Sequence, residues 1–110
     1  MTRPTLADFR KAQPGCELAA LVDLGARTVL LTDSAVRHAQ EHLDALEREA
    51  RQLFEAGALS PVIIAGPRGL RVFLRGEGGE ALCCLLAPGA DVSGITQRAA
   101  AVFAPQGGGE

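Results

Sequence analysis

The segment Ala81–Ala87, ALCCLLA, offers no polar side chain to either face of a strand. Successive strand residues point to opposite sides. Such a strand belongs in the middle of a sheet that is covered on both faces. The rest of the chain must supply neighbouring strands and helices for two layers. This requirement constrains the fold more than any other stretch.

Turn residues divide the remainder into candidates. Thr5 and Asp8 have the spacing of a helix start, and Leu6 and Phe9 give a short first helix its apolar side. Pro14-Gly15 ends it. ELAALVDL (Glu17–Leu24) and RTVLLT (Arg27–Thr32) read as two strands joined by a tight turn at Gly25. Asp33 or Ser34 is a suitable N-cap for a long helix that Gly57 ends near Ala56. Its apolar residues, Val36, Ala39, Leu43, Leu46, Ala50 and Leu53, form a heptad-like seam of about two and a half heptads. Asp44 with Arg48 and Glu47 with Arg51 are spaced as ion pairs on the solvent side. PVIIA (Pro61–Ala65), LRVFLR (Leu70–Arg75) and ALCCLLA are three further strands, separated by GPRG and GEGG turns. Asp91 is placed to cap a last helix whose apolar face is Val92, Ile95, Ala99, Val102 and Phe103. The expected architecture is an α/β (α+β) domain. It has a five-stranded, mainly antiparallel sheet, the long helix on one face and the terminal helices on the other. Residues 1–110 form one domain with a core over about 5–103 and a flexible 104–110 tail.

Composition narrows the function. A net charge of −2 gives no basic surface for nucleic acid or anionic membrane, and no apolar run is long enough to span a bilayer. The absence of Trp and Tyr counts against base-stacking platforms. The first residues lack the apolar stretch of a signal peptide. Three cysteines suit a reducing cytoplasm better than a disulfide framework. No internal repeat is visible.

Four features could carry chemistry. HAQEH (His38, Glu41, His42) matches the H-x-x-E-H zinc-hydrolase pattern. Two histidines four apart can share a metal, with Glu41 as general base. A catalytic zinc also needs a third ligand, and no residue pattern supplies one; the same letters fit histidines at the rim of a packing helix. Cys83 and Cys84 are adjacent, so they face opposite sides of a strand and read as core residues, as does Cys16. The glycines form no phosphate-binding loop. Arg68, Arg71 and Arg75 around Phe73 are either a protein-binding patch or arginine stems on a face covered by helix. These features point to no catalytic residue, metal site or cofactor.

The order of elements resembles the Roadblock / dynein light-chain family. The resemblance rests on PGC after the first helix, LAALVDL-GARTVLLTDS as the first hairpin, the long helix, and VIIAGPRGLRVFLR…GEALCCLLAPGADVSGITQRA as the last three strands and helix. It runs from about Leu6 to Phe103. What it implies is a small non-enzymatic adaptor, cytoplasmic and bacterial in type. Family members pair as dimers through their long helices and strand edges and act on or scaffold Ras-like GTPases. The expected partners are a second copy of the chain and a small GTPase or related complex. The expected dimer interface is Ala39, Leu43, Leu46, Ala50, Leu53, Val62, Ile63 and Ile64. An uncharged apolar edge such as PVIIA needs pairing or covering, which independently favours that assembly. The alternatives are a profilin- or PAS-like ligand-sensing module and, more remotely, a small zinc-dependent hydrolase.

Overall fold

The computed structural model describes residues 5–103; the expected tail over 104–110 lies outside them. The elements are α1 (Leu6–Ala12), β1 (Cys16–Asp23), β2 (Thr28–Ser34), α2 (Gln40–Glu55), β3 (Val62–Gly66), β4 (Gly69–Arg75), β5 (Glu80–Leu86) and α3 (Ile95–Phe103). The strands form one sheet in the order β2-β1-β5-β4-β3, and every neighbouring pair is antiparallel. ALCCLLA thus supplies the central strand. Ala81, Leu82, Cys83 and Cys84 are all buried, and they alternate between two core layers.

One layer packs Leu6 and Phe9 of α1 and Ile95 and Ala99 of α3 against Ala19, Val72, Leu74, Leu82, Cys84 and Leu86. The other packs Leu43, Leu46, Ala50 and Phe54 of α2 against Leu18, Ala20, Val22, Phe73, Ala81 and Cys83. α2 therefore lies on one face, and α1 with α3 on the other. Two β-bulges adjust the alternation. Cys16 pairs with Leu86 but Leu18 with Leu85, so Glu17 is the extra residue and Cys16 turns toward α1 and α3 with Ala19. Leu30 is the extra residue in β2, between the Leu21–Leu31 and Val22–Val29 pairs.

Local chemistry fixes the first helix. The Thr5 hydroxyl accepts from Asp8 N–H at 3.1 Å, and the Asp8 carboxylate accepts from Thr5 N–H at 2.9 Å. Those hydrogen bonds hold the Asp8 carboxyl below its ordinary range. At the helix's other end Gln13 is buried, and both ends of its amide are satisfied. Its Oε1 accepts from Arg98 at 2.6 and 3.1 Å, and its Nε2 donates to the Asp91 carbonyl at 2.8 Å. This network ties α1 to α3 and to the loop before it.

The expected start of the long helix is corrected. β2 runs on to Ser34 because Ser34 pairs with Leu18, and α2 begins only at Gln40. Its N-cap is Ala39, which has no side-chain hydrogen bond to offer. Asp33 instead forms an ion pair with Arg10 of α1, and the Ser34 hydroxyl donates to the Val36 carbonyl. Val36 is therefore not a seam residue; it is 62% exposed. The ladder with β1 continues for as long as β1 offers partners, and that outweighs one capping side chain. Asp91 is likewise not at a helix start: it accepts from Ser93 N–H and hydroxyl in the loop before α3.

Burial controls the thiols. The apolar surroundings of Cys83, helped by the charges of Glu47 and Glu49, push its thiol up to about 12. Cys84 is also driven well up, by its hydrogen bond with Cys16 and by burial. Cys83 and Cys84 should therefore stay unreactive toward Ellman's reagent in the native protein at pH 8 and react on unfolding. Fast labelling of either before denaturation would contradict this packing. At Gly69, φ is +135° and an added Cβ would sit 2.1 Å from the Leu86 carbonyl oxygen. Gly69→Ala should lower stability by at least about 2 kcal/mol in a urea titration.

Candidate interaction surface

β3 is one edge of the sheet, bonded on one side only, to β4. The two-residue turn Pro67-Arg68 makes Gly66–Gly69 the closing pair of this hairpin. In an antiparallel ladder alternate residues bond inward. Gly66, Ile64 and Val62 therefore bond to β4, and Ile63 and Ala65 turn their N–H and C=O groups away from it. The strand is short, apolar and uncharged, and none of the usual edge protections of lysine, proline or inward charge lies within it. Ile63 is 44% exposed, and Leu59, in the approach to the strand, is 87% exposed.

α2 lies over the same face as Val62 and Ile64. Its sheet-facing side is Leu43, Leu46, Glu47, Ala50 and Phe54, all buried. Leu43, Leu46 and Ala50 are thus occupied by their own sheet and leave no surface for a helix–helix seam, contrary to the sequence expectation. The reason lies in their spacing. A stripe at three and four residues serves a sheet as readily as a twin helix, and the sheet is nearer. Glu47 corrects a second expectation. It is buried, not on the solvent side, and its carboxylate accepts from Arg51 Nε at 3.0 Å.

The two flanks of α2 differ. Glu49 accepts two hydrogen bonds from Arg71 of β4, at 3.0 and 2.9 Å, which identifies the flank turned toward β4 and β3. At 100° per residue His42, Ala45, Gln52, Leu53 and Ala56 share that side. It is mostly uncharged: Arg71 offsets Glu49, and Glu41, within about 20° of Gln52 on the wheel, borders it at the start of the helix. Leu53 is half-buried, while Ala45, Gln52 and Ala56 are exposed. The outer and opposite sides carry Glu41, Asp44, Arg48, Arg51 and Glu55. Leu43, Leu46 and Ala50 of the expected seam face the sheet, and Gln52 and Ala56, which lay outside that expectation, are exposed on this flank.

The arginine cluster resolves into separate roles. Phe73 is fully buried under α2, so it belongs to the core and not to a surface patch. Arg71 is held by Glu49. The Arg75 guanidinium lies 5.9 Å from the centre of the Phe54 ring, so its stem covers the end of the helix. Arg68 stands exposed in the β3–β4 turn. Ala39, the outermost of the expected interface residues, is exposed at the start of α2.

HAQEH straddles the helix boundary. His38 precedes the cap and His42 follows it, and their Nδ1 atoms are 3.2 Å apart. Glu41 is exposed. Among the described residues no group of three or more His, Cys, Asp and Glu side chains comes together as a metal site. A cleft of about 720 Å3 lies on the other face between α3 and the sheet, walled by Leu21, Leu74, Val102 and Phe103 with Glu77 and Glu80. None of the described helices is long and apolar enough to cross a membrane.

No protein-family model and no curated protein matches the sequence. Solved structures do match the fold. A Roadblock/LC7 domain from Streptomyces avermitilis superposes with a TM-score of 0.74 at 15% identity, over 89% of this chain and 88% of that one. MglC from Myxococcus xanthus gives 0.62 at 15% identity, over 87% and 89%. The gliding protein MglB from Thermus thermophilus gives 0.66 at 12% identity, over 89% and 83%. The fold is that of a Roadblock/LC7 domain, as the resemblance in the sequence implies. Core and flank can be told apart by charge. Leu46→Arg should lose about 3 kcal/mol or more on denaturation, whereas Ala45→Arg should keep the parent's circular-dichroism spectrum, because its side chain meets no core residue of its own chain.

Proposed function

We propose that this chain with a Roadblock/LC7 fold is a non-enzymatic adaptor. It works as a homodimer and engages a Ras-like GTPase or a related protein complex. One observation carries the dimer. An unprotected apolar edge, β3, lies beside a helix flank that is mostly uncharged. A two-fold axis normal to the sheet at that edge pairs the two β3 strands antiparallel and sets Ile63 and Ala65 against the same groups of a second copy. It also brings α2 flanks together at Ala45, Gln52, Leu53 and Ala56 without opposing like charges. Val62 and Ile64 extend the same strip from below, and Ala39 lies at its far end. The interface is therefore proposed at the expected strand and on the flank of the expected helix.

The absence of a catalytic role is also a proposal. Several side chains that could do chemistry have structural partners: Glu47 holds Arg51, Glu49 holds Arg71, and the thiols lie in the core. The GTPase partner is supported by the resemblance and by the likeness to the gliding protein MglB and to MglC. In this reading the dimer presents one continuous sheet and a paired-helix surface, and it holds the partner's switch region in one state. A cytoplasmic location fits the reduced thiols.

Light scattering on the purified chain should give twice the monomer mass. Ala65→Pro removes an outward N–H that the monomer does not use, so it should yield a folded monomer with an unchanged circular-dichroism spectrum. A parent protein that stays monomeric at its highest soluble concentration would exclude the dimer. Ras-like GTPases should be retained by the immobilised dimer to different extents with a GTP analogue and with GDP. Equal or absent retention would exclude a switch-dependent role.

A further inference from the structure

The histidine pair has a use that needs neither catalysis nor a third protein ligand. We propose that His38 and His42 form a two-histidine chelate for a late divalent transition ion of the nickel, copper and zinc class. The chelate would clamp the approach to α2 onto its first turn. The carrying observation is a distance. The two Nδ1 atoms stand 3.2 Å apart, with the ring centres 5.2 Å apart. Imidazole nitrogens bind such ions at about 2.0–2.1 Å, so this separation subtends about 100° at a shared ion. That angle lies between the square-planar or octahedral and the tetrahedral values. Water completes the coordination, because no further described side chain joins the pair.

The proton count closes without a redox step. One ring now donates its Nδ1–H to the other. On binding, that proton moves by exchange with solvent to the same ring's Nε2, and both Nδ1 lone pairs go to the ion. Two neutral imidazoles remain neutral. The Nε2 of His38 is shielded from solvent and has no hydrogen-bond partner, so the ring that exchanges its proton is that of the exposed His42. His38 lines a cavity of about 390 Å3 together with Thr32 and Ser34. The local field is mixed. Arg37 and the positive end of α2 oppose a cation, and Glu41 in the first turn favours one. Affinity then comes from the chelate geometry and follows the order copper above nickel and zinc. The fold also gives the clamp a purpose. α2 starts at an alanine with no side-chain cap, and a metal bridging His38 and His42 spans that boundary.

The test is calorimetric titration of the tag-free protein with nickel(II) chloride, beside thermal melts with and without the metal. Parent protein should bind one nickel ion per chain and melt higher in its presence. His38→Asn and His42→Asn should each weaken binding at least about tenfold and abolish the rise. His42 lies exposed in the first turn of α2 and His38 half-buried just before it, and circular dichroism checks that the variants fold. No binding by the parent, or parent-like binding by either variant, would overturn the chelate.

Discussion

Everything in this molecule depends on a sheet whose middle strands are buried on both sides. β5 sits between β1 and β4, and its successive side chains enter opposite core layers. Neither layer is complete without its helices. If α2 were removed, Leu18, Ala20, Val22 and Phe73 would meet water. If α1 and α3 were removed, Ala19, Val72, Leu82 and Cys84 would. Both helix layers therefore depend on the same sheet, in which three of the four strand pairings are short hairpins. The polar ties serve this arrangement. Gln13 with Arg98 closes the α1–α3 layer at one end, and Arg71 with Glu49 anchors α2 over β4.

The same constraint leaves an edge. A five-stranded open sheet has two, and they are not equivalent. β2 carries a bulge at Leu30 and is tied to α1 through Asp33 and Arg10, so that edge is twisted and partly occupied. β3 is regular, short and uncharged, and α2 lies beside it with its mostly uncharged flank. Surface charge follows this division. The acids and bases of α2 lie on its outer and opposite sides or are paired within the chain. The proposed association surface is consequently apolar along the strand and mostly uncharged along the helix.

Much of this was legible in the residues. Short apolar runs and turn glycines located the strands within a residue or two, and Thr5 with Asp8 announced a capping box that is present. The face assignments of Cys83 and Cys84 followed from strand geometry alone. The misreadings share one cause. Asp33 and Ser34 have the chemistry of helix caps, but strand pairing to β1 claims their backbone. Glu47 looks like a solvent residue because it is charged, but its position on the wheel puts it against the sheet, where Arg51 balances it. Phe73 between arginines looks like a patch until α2 is laid over it. In each case a local signal met a partner distant in sequence.

The sequence by itself determined the number and type of elements, the central place of ALCCLLA and the need for helices on both faces. Alternation, turn chemistry and helical periodicity are local properties, and they survive without coordinates. Only the tertiary structure decided which stripe of α2 meets the sheet, and therefore which flank remains for a partner. A helix turned by a few tens of degrees buries a different set of residues at little local cost, so its rotation is fixed by what it packs on. That contact also moved Leu43, Leu46 and Ala50 into the core and left Ala45, Gln52 and Ala56 outside.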